Sequence, residues 1–125
     1  MNTPAHFEIV DGRGYFRPTG SMSLREAVVL VEHAIASARD QGLKQLLIDA
    51  THLSGFSPPT IFEKYNFVTQ WAAAAAGKIR VAMVARPEWI DPQRFGVTVA
   101  ANHGFEADVF VSEGEAIQWL DRQSK

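Results

Sequence analysis

Two short apolar runs decide the fold of this chain: Leu46-Leu47-Ile48-Asp49 and Val81-Ala82-Met83-Val84-Ala85. Neither run shows the apolar-polar alternation expected of a strand with one face in water. Continuous apolar strands are typical of the centre of a largely parallel sheet, whose two faces are covered by helices. The sequence therefore predicts two central strands that lie side by side in one sheet.

Helix start signals surround these two strands. In a capping box, a Ser or Thr accepts a hydrogen bond from the amide of a Glu three residues on, and that Glu reaches back to the first amide. Asp91 followed by Pro92 is a further start signal, for a helix that runs to about His103. The predicted capping boxes are Ser23 with Glu26, Thr60 with Glu63, and Ser112 with Glu115.

The chain before the first helix predicts a β-hairpin. Phe7 to Val10 favours a strand, Asp11-Gly12 favours a tight turn, and Tyr15 to Thr19 favours the returning strand. Pro18 cannot donate a ladder hydrogen bond, so the second strand is expected to lie at a sheet edge or to end there. Gly12-Arg13-Gly14 stands between two strands, whereas a phosphate-binding glycine loop opens a helix, so we interpret it as part of the hairpin.

The resulting order of elements is ββαβαβαβα. Alternating strands and helices imply parallel strands joined by right-handed crossovers, and the opening hairpin makes the sheet mixed. We therefore predict a single α/β domain over residues 1–125. Its mostly parallel sheet should have about five strands, covered by about four helices.

Composition narrows the possible functions. The 125 residues are 46% apolar and 21% charged with a formal net charge of −2, and they carry no basic stripe for nucleic acid. The absence of cysteine removes disulfides, zinc thiolates and cysteine nucleophiles. The spacing of the histidines does not suit a metal site, so no metal or other cofactor is expected. Met1 to His6 lacks the apolar stretch of a secretory signal, and no apolar run could span a bilayer, so we expect a cytoplasmic protein.

Four stretches carry a resemblance to a known family. They are Leu46 to Asp49, Ile79 to Val84, Ala101-Asn102-His103-Gly104-Phe105, and Val109 to Leu120. Together with the element order, they resemble the SpoIIAA-like fold of STAS domains and of short bacterial proteins, over nearly the whole chain. The resemblance implies the predicted fold and a regulatory domain that binds other proteins.

The same resemblance directs attention to the segment before the second helix. STAS domains that antagonise anti-sigma factors carry a phosphorylatable serine there, usually within an aspartate-serine-serine-glycine run. The matching stretch here is Phe56-Ser57-Pro58-Pro59-Thr60, in which prolines occupy the serine positions. Ser57 and Thr60 flank that place and are candidates for a regulatory phosphate, although helix capping explains both more simply.

Polar residues follow both central strands. Asp49, His52 and Ser54 are the residue types of a hydrolytic triad, but three residues of one short loop rarely reach triad geometry. We interpret them as a polar loop at the sheet edge where α/β proteins bind ligands. Arg86 could hold an anion at that edge with nearby helix amides, or it could pair with Glu88.

The second helix is apolar over more of its circumference than a sheet requires. Its apolar arc includes Phe62, Phe67 and Trp71 and spans roughly 220°, at about 100° per residue. Neighbouring elements could cover the excess. Alternatively, Phe67 and Trp71 could form a contact surface or the lid of a pocket.

These observations leave three functions open. The first is a non-catalytic regulatory domain that binds a protein partner or a second copy of itself. The second is a binder of a small apolar or anionic ligand, since STAS-related folds resemble the lipid-carrying CRAL-TRIO fold. The third and least favoured is a hydrolase that uses Ser54 and His52.

Overall fold

The computed structural model describes residues 5–122, so both ends of the predicted domain and most of Met1 to His6 lie outside the described residues. Within residues 5–122, no helix has the length and apolar character needed to cross a membrane. The elements are β1 (Phe7–Val10), β2 (Arg13–Phe16), β3 (Gly20–Ser21), α1 (Leu24–Asp40), β4 (Gln45–Asp49), β5 (Leu53–Ser54), α2 (Ile61–Ala75), β6 (Arg80–Val84), α3 (Phe95–Asn102), β7 (Ala107–Phe110) and α4 (Glu113–Arg122).

Five strands form one sheet in the order β1-β2-β4-β6-β7. The pair β1 and β2 is antiparallel, and the other neighbours are parallel. In the centre, β4 and β6 pair along their whole length, with Gln45 opposite Arg80 and Asp49 opposite Val84. The predicted α/β fold with its mixed, mostly parallel sheet is confirmed. The short strands β3 and β5 form a separate parallel ladder, which the sequence did not predict.

The central strands send alternate side chains to two buried faces of the sheet. On one face, Leu46, Ile48 and Val81 pack with α1, α2 and α3, and we call this the three-helix face. On the other, Leu47 and Ala82 pack against α4, and we call this the one-helix face. All five residues of β4 are buried, which is why its sequence does not alternate.

Two of the predicted helix starts form as full capping boxes. At Ser23 and Thr60, the hydroxyl accepts from the amide three residues on, and the returning glutamate accepts from the first amide. Ser112 also accepts a hydrogen bond from the amide of Glu115. The orphan amides at these helix starts are therefore satisfied by the residues that the sequence indicates.

Helix α3 begins later than predicted. The expected start at Asp91 and Pro92 is wrong, because Arg94 has a φ of 52°, in the left-handed region that interrupts a right-handed helix. Asp91 nevertheless contacts the helix, since its Oδ2 accepts a hydrogen bond from the amide of Phe95 at 2.9 Å. As a result, α3 has only eight residues.

The opening hairpin is confirmed, with one correction. Asp11 and Gly12 have φ values of 52° and 79°, as a tight primed turn requires. The returning strand ends at Phe16 rather than Thr19. It therefore ends before Pro18, the second of the two predicted alternatives, and β2 lies between β1 and β4 and not at an edge. Pro18 is buried just beyond the strand, where no backbone N–H is needed for the hydrogen bonds of the sheet.

Candidate functional site

An apolar cavity of about 150 Å³ lies on the three-helix face, toward the carboxyl ends of β4 and β6. Its wall comes from all three helices, from the sheet and from the loops that follow the two central strands. In parallel sheets, ligands gather at this end of the strands. The cavity is therefore the candidate site. Its wall includes Val28, Val68, Trp71, Met83, Trp89 and Val97.

Stacked side chains join the two loops at the mouth of the cavity. The rings of Phe56 and Trp89 stack with centroids 5.2 Å apart, and the guanidinium of Arg86 lies 5.0 Å from the centroid of the Trp89 ring. Arg86 also donates hydrogen bonds to the carbonyls of Thr51 at 3.1 Å and Leu53 at 2.8 Å. Arg86 thus ties the loop after β6 to the loop after β4.

These contacts correct one of the two predictions for Arg86. Its guanidinium donates to main-chain carbonyls and covers an aromatic ring, so the expected ion pair with Glu88 is wrong among the described residues. The guanidinium has further N–H donors besides the two that these carbonyls accept from, so its anion-holding role stays a prediction. Arg86 therefore holds the loop after β6 against the loop after β4.

An ion pair borders the cavity. The Nζ of Lys64 lies 2.7 Å from Oδ1 of Asp91, and the two side chains are only 9% and 16% exposed. Burial alone would raise the pKa of Asp91, but hydrogen bonds from Lys64 and from the Phe95 amide, with the charge of Lys64, lower it below its ordinary value. Asp91 therefore stays ionised at neutral pH.

Asp49 lies on the opposite side of the sheet and contacts the start of α4. Its Oδ1 accepts from the Thr51 hydroxyl at 2.6 Å and from the Thr51 amide at 3.0 Å. Burial would raise the pKa of Asp49, yet hydrogen bonds with Thr51 and Glu113 and the nearby charge of His52 lower it. Arg17 in turn holds the Glu113 carboxylate with two hydrogen bonds.

The three residues of the hydrolase interpretation do not assemble into a triad. Asp49 accepts its hydrogen bonds from Thr51, and within residues 5–122 no hydrogen bond joins His52 to Ser54. His52 and Ser54 are both exposed, and Ser54 belongs to the short strand β5. This arrangement gives the serine no oriented base, which nucleophilic catalysis requires.

The apolar arc of α2 divides into a buried part and an exposed part. Trp71 is 8% exposed, and its Nε1 donates to the carbonyl of Val28 at 3.0 Å, so its place in an outward contact surface needs correction. Phe67 is half-buried and packs on Trp71 with ring centroids 4.6 Å apart. Both residues line the cavity. Phe62, by contrast, is 74% exposed.

The candidate phosphate acceptors precede α2. The Thr60 hydroxyl accepts from the amide of Glu63 at 3.1 Å and so caps the helix. Ser57 is exposed in the loop before it. Modification of either residue stays a prediction.

Several residues of the site were missed by the sequence-based reasoning. Lys64 interrupts the apolar arc of the sequence, yet it is buried, and Asp91 pairs with it. The pairing of Lys64 with Asp91, on the other wall of the cavity, leaves no local pattern in the sequence that could predict it. The stack of Phe56 on Trp89 joins residues 33 positions apart, and only the aromatic character of each loop hints at it.

Comparisons with known proteins give a structural likeness only. No family model matches the sequence, and no curated protein matches it. The chain is similar to the anti-sigma factor antagonist SpoIIAA in its unphosphorylated form, with a TM-score of 0.50 and 19% identity over 92% of this chain and 96% of that one. It also matches the NMR structure of the protein TM1081, with a TM-score of 0.48 and 13% identity over 93% and 87% of the two chains. The chain thus has the SpoIIAA-like, STAS-type fold.

Proposed function

We propose that this chain is a bacterial, cytoplasmic regulatory domain that works by binding protein, and that it self-associates. The surface that it uses is the exposed apolar start of α2. A protein with the same fold is named as an antagonist of an anti-sigma factor, a role that operates through protein contact. Asp49, His52 and Ser54 do not form a triad, so their arrangement does not favour the hydrolase over a protein-binding domain.

One observation carries this proposal. Phe62 is 74% exposed, and its neighbours on the same two turns, Ile61 and Tyr65, are 47% and 46% exposed. Single exposed apolar residues are common, but a cluster of three large ones is typical of an interaction surface. Aromatic residues at the centre of such a surface supply most of the binding energy.

Sedimentation of the full chain between about 1 and 100 μM tests self-association. We expect the wild type to shift from monomer to dimer with concentration, and the double variant Phe62→Ser, Tyr65→Ser to stay monomeric, because removing buried aromatic contacts costs several kcal/mol of association. Val29→Ser is the matched control, since Val29 is an exposed apolar residue on another helix. It should leave the dimer unchanged.

A wild type that stays monomeric at every concentration contradicts self-association. A photo-crosslinking amino acid at position 62 then tests the protein-binding part in cells, with the same group at position 29 as control. If position 62 captures no protein beyond those captured at position 29, the protein-interaction proposal is wrong.

The cavity favours a second candidate, the binding of a small ligand. A pocket walled by apolar residues from three helices and a sheet is the usual form of a small-molecule site. Native mass spectrometry of freshly purified protein should reveal an added mass that denaturation releases. A clean protein mass, with no thermal shift across a panel of lipids and nucleotides, contradicts this candidate.

A further inference from the structure

We infer that the cavity on the three-helix face binds one neutral, apolar molecule about the size of a single aromatic ring, and excludes anions and long lipids. This inference rests on the second candidate function and names its ligand class. Three observations carry it: the volume of the cavity, the pairing of the charges that border it, and the aromatic stack at its mouth.

The volume sets the size of the ligand. The cavity measures about 150 Å³. An apolar protein cavity of about 150 Å³ stays dry and binds benzene, which has six carbon atoms. A long acyl chain would leave most of its length in water, so a lipid gains little from this site. Water is an unsuitable occupant too, because it needs two to four polar partners and this wall is almost wholly apolar.

The bordering charges exclude anions. Lys64 is paired with Asp91, and Arg94 is hydrogen-bonded to the Asp108 carboxylate and to a main-chain carbonyl. A ligand carboxylate could reach Lys64 only by displacing Asp91, whose other oxygen accepts from the Phe95 amide. That exchange would leave a carboxylate and an amide without partners, and unpaired buried groups are costly. A neutral molecule avoids this cost.

The aromatic residues at the mouth suit a ring. Phe56 and Trp89 stack on each other and both contribute to the wall of the cavity, as do Phe67 and Trp71. Aromatic faces and edges favour contact with another ring beyond the area that is buried. Ring ligands are therefore preferred over open aliphatic chains of equal volume.

Fluorine NMR of the full chain with fluorobenzene tests the inference, and benzoate is the charged probe of similar size. Fluorobenzene should titrate to saturation, and benzoate should bind at least about tenfold more weakly, which corresponds to 1.4 kcal/mol. In the wild type, the methyl signal of Met83, which lines the cavity, should shift with fluorobenzene. The methyl signal of Met22, which is not part of the lining but packs on residues that are, should shift less.

Two variants that replace an alanine by leucine locate the site. Ala107→Leu places extra atoms in the wall of the cavity and should weaken fluorobenzene binding at least about tenfold. Ala101→Leu makes the same chemical change at an exposed position of α3 outside the lining and should bind like the wild type. Equal weakening in both variants would overturn the location. The Met83 shift in the wild type keeps the test valid if Ala107→Leu does not fold.

The outcomes separate this inference from the function on which it rests. If benzoate or palmitate binds and fluorobenzene does not, the neutral-ring inference is wrong, while ligand binding as a function survives. If no probe binds and the native mass is also clean, both are wrong. Saturable fluorobenzene binding with a Met83 shift, together with weak benzoate, is the result that we expect.

Discussion

The two faces of the sheet are covered in opposite ways. The one-helix face has α4 alone, yet Leu47 and Leu120 are fully buried there, and Arg17 and Arg13 pair with acidic residues of that helix. The three-helix face has three times as many helices and contains the cavity. The number of covering helices therefore does not decide how closely a sheet is covered. One helix seals a narrow strip when long charged side chains extend its edges.

The late start of α3 lies beside the cavity. The left-handed Arg94 delays the helix to Phe95, so the space near the end of β6 is closed by a single 3-10 turn, Pro87–Trp89, and the loops around it. Loop side chains such as Phe56 and Trp89 stack across the gap instead of filling it. A backbone conformation at one residue is thus linked to the position of the candidate site.

The largest expected effect is on the one-helix face. Leu120→Ala should lower the free energy of unfolding by about 3 kcal/mol, because Leu120 is fully buried in a close-packed cluster. Met83→Ala on the three-helix face should cost less, about 1.5 kcal/mol, because Met83 is only partly buried and already makes fewer contacts beside the cavity. Urea unfolding of both variants measures the two losses. Equal losses would show that the three-helix face is packed as closely as the other.

The ion pair beside the cavity comes next. Asp91→Asn should destabilise the fold by about 2 kcal/mol at pH 7, because Lys64 is left nearly buried without a counter-charge. The loss should depend on pH. The folded pKa of Asp91 is lowered, so its contribution is complete above its unfolded pKa of about 4 and disappears as pH falls through the folded pKa.

The control for this pair removes both charges. Lys64→Met combined with Asp91→Asn should recover most of the stability lost in Asp91→Asn, since an apolar side chain suits the wall of the cavity. Urea unfolding at pH 7 measures both variants. A double variant no more stable than the single one would mean that Asp91 acts through the Phe95 amide and not through Lys64.

A larger side chain should destabilise the one-helix face more than the three-helix face. Ala82→Leu on the one-helix face should destabilise the fold by about 1.5 kcal/mol, because the fully buried Ala82 has no room for a larger side chain. Ala107→Leu should cost little, since the added atoms have the cavity beside them. Thermal unfolding compares the two variants. A larger cost for Ala107→Leu would contradict the difference in packing between the faces.

The fold could be predicted from the sequence because its signals are local. The continuous apolar residues of β4 and β6 and the capping boxes at Ser23 and Thr60 each lie within a few residues, and each formed as predicted. The site could not be predicted in the same way. Lys64 gains its partner, Asp91, from a loop 27 positions away, and such a pairing leaves no periodic trace in the sequence.

The predictions for the start of α3 and for the exposure of Trp71 are wrong for related reasons. Asp-Pro is a sound start signal, and Asp91 does accept from the α3 amide of Phe95, but the intervening backbone turns left at Arg94. Trp71 belongs to an apolar arc whose exposed fraction depends on which elements pack nearby, and the carbonyl of Val28 on α1 holds its indole in the core. Local propensity yields to tertiary contact at both places.

The smallest expected effect concerns Asp49, on the one-helix face. Thr51→Val removes the hydroxyl donor at 2.6 Å and keeps the amide donor, so the loss should be about 1 kcal/mol at pH 7. The lowered folded pKa of Asp49 should then rise toward its ordinary value. Because the hydroxyl stabilises the ionised carboxylate, the difference in unfolding free energy between wild type and variant should stay constant above about pH 5 and shrink as pH falls below about 4.

Carboxyl carbon NMR titration measures the pKa of Asp49, and urea unfolding at pH 7 and 3 measures the difference in stability, with the exposed Thr98→Val as control. A gap that persists unchanged at pH 3 would mean that Thr51 acts through packing and not through the charge of Asp49.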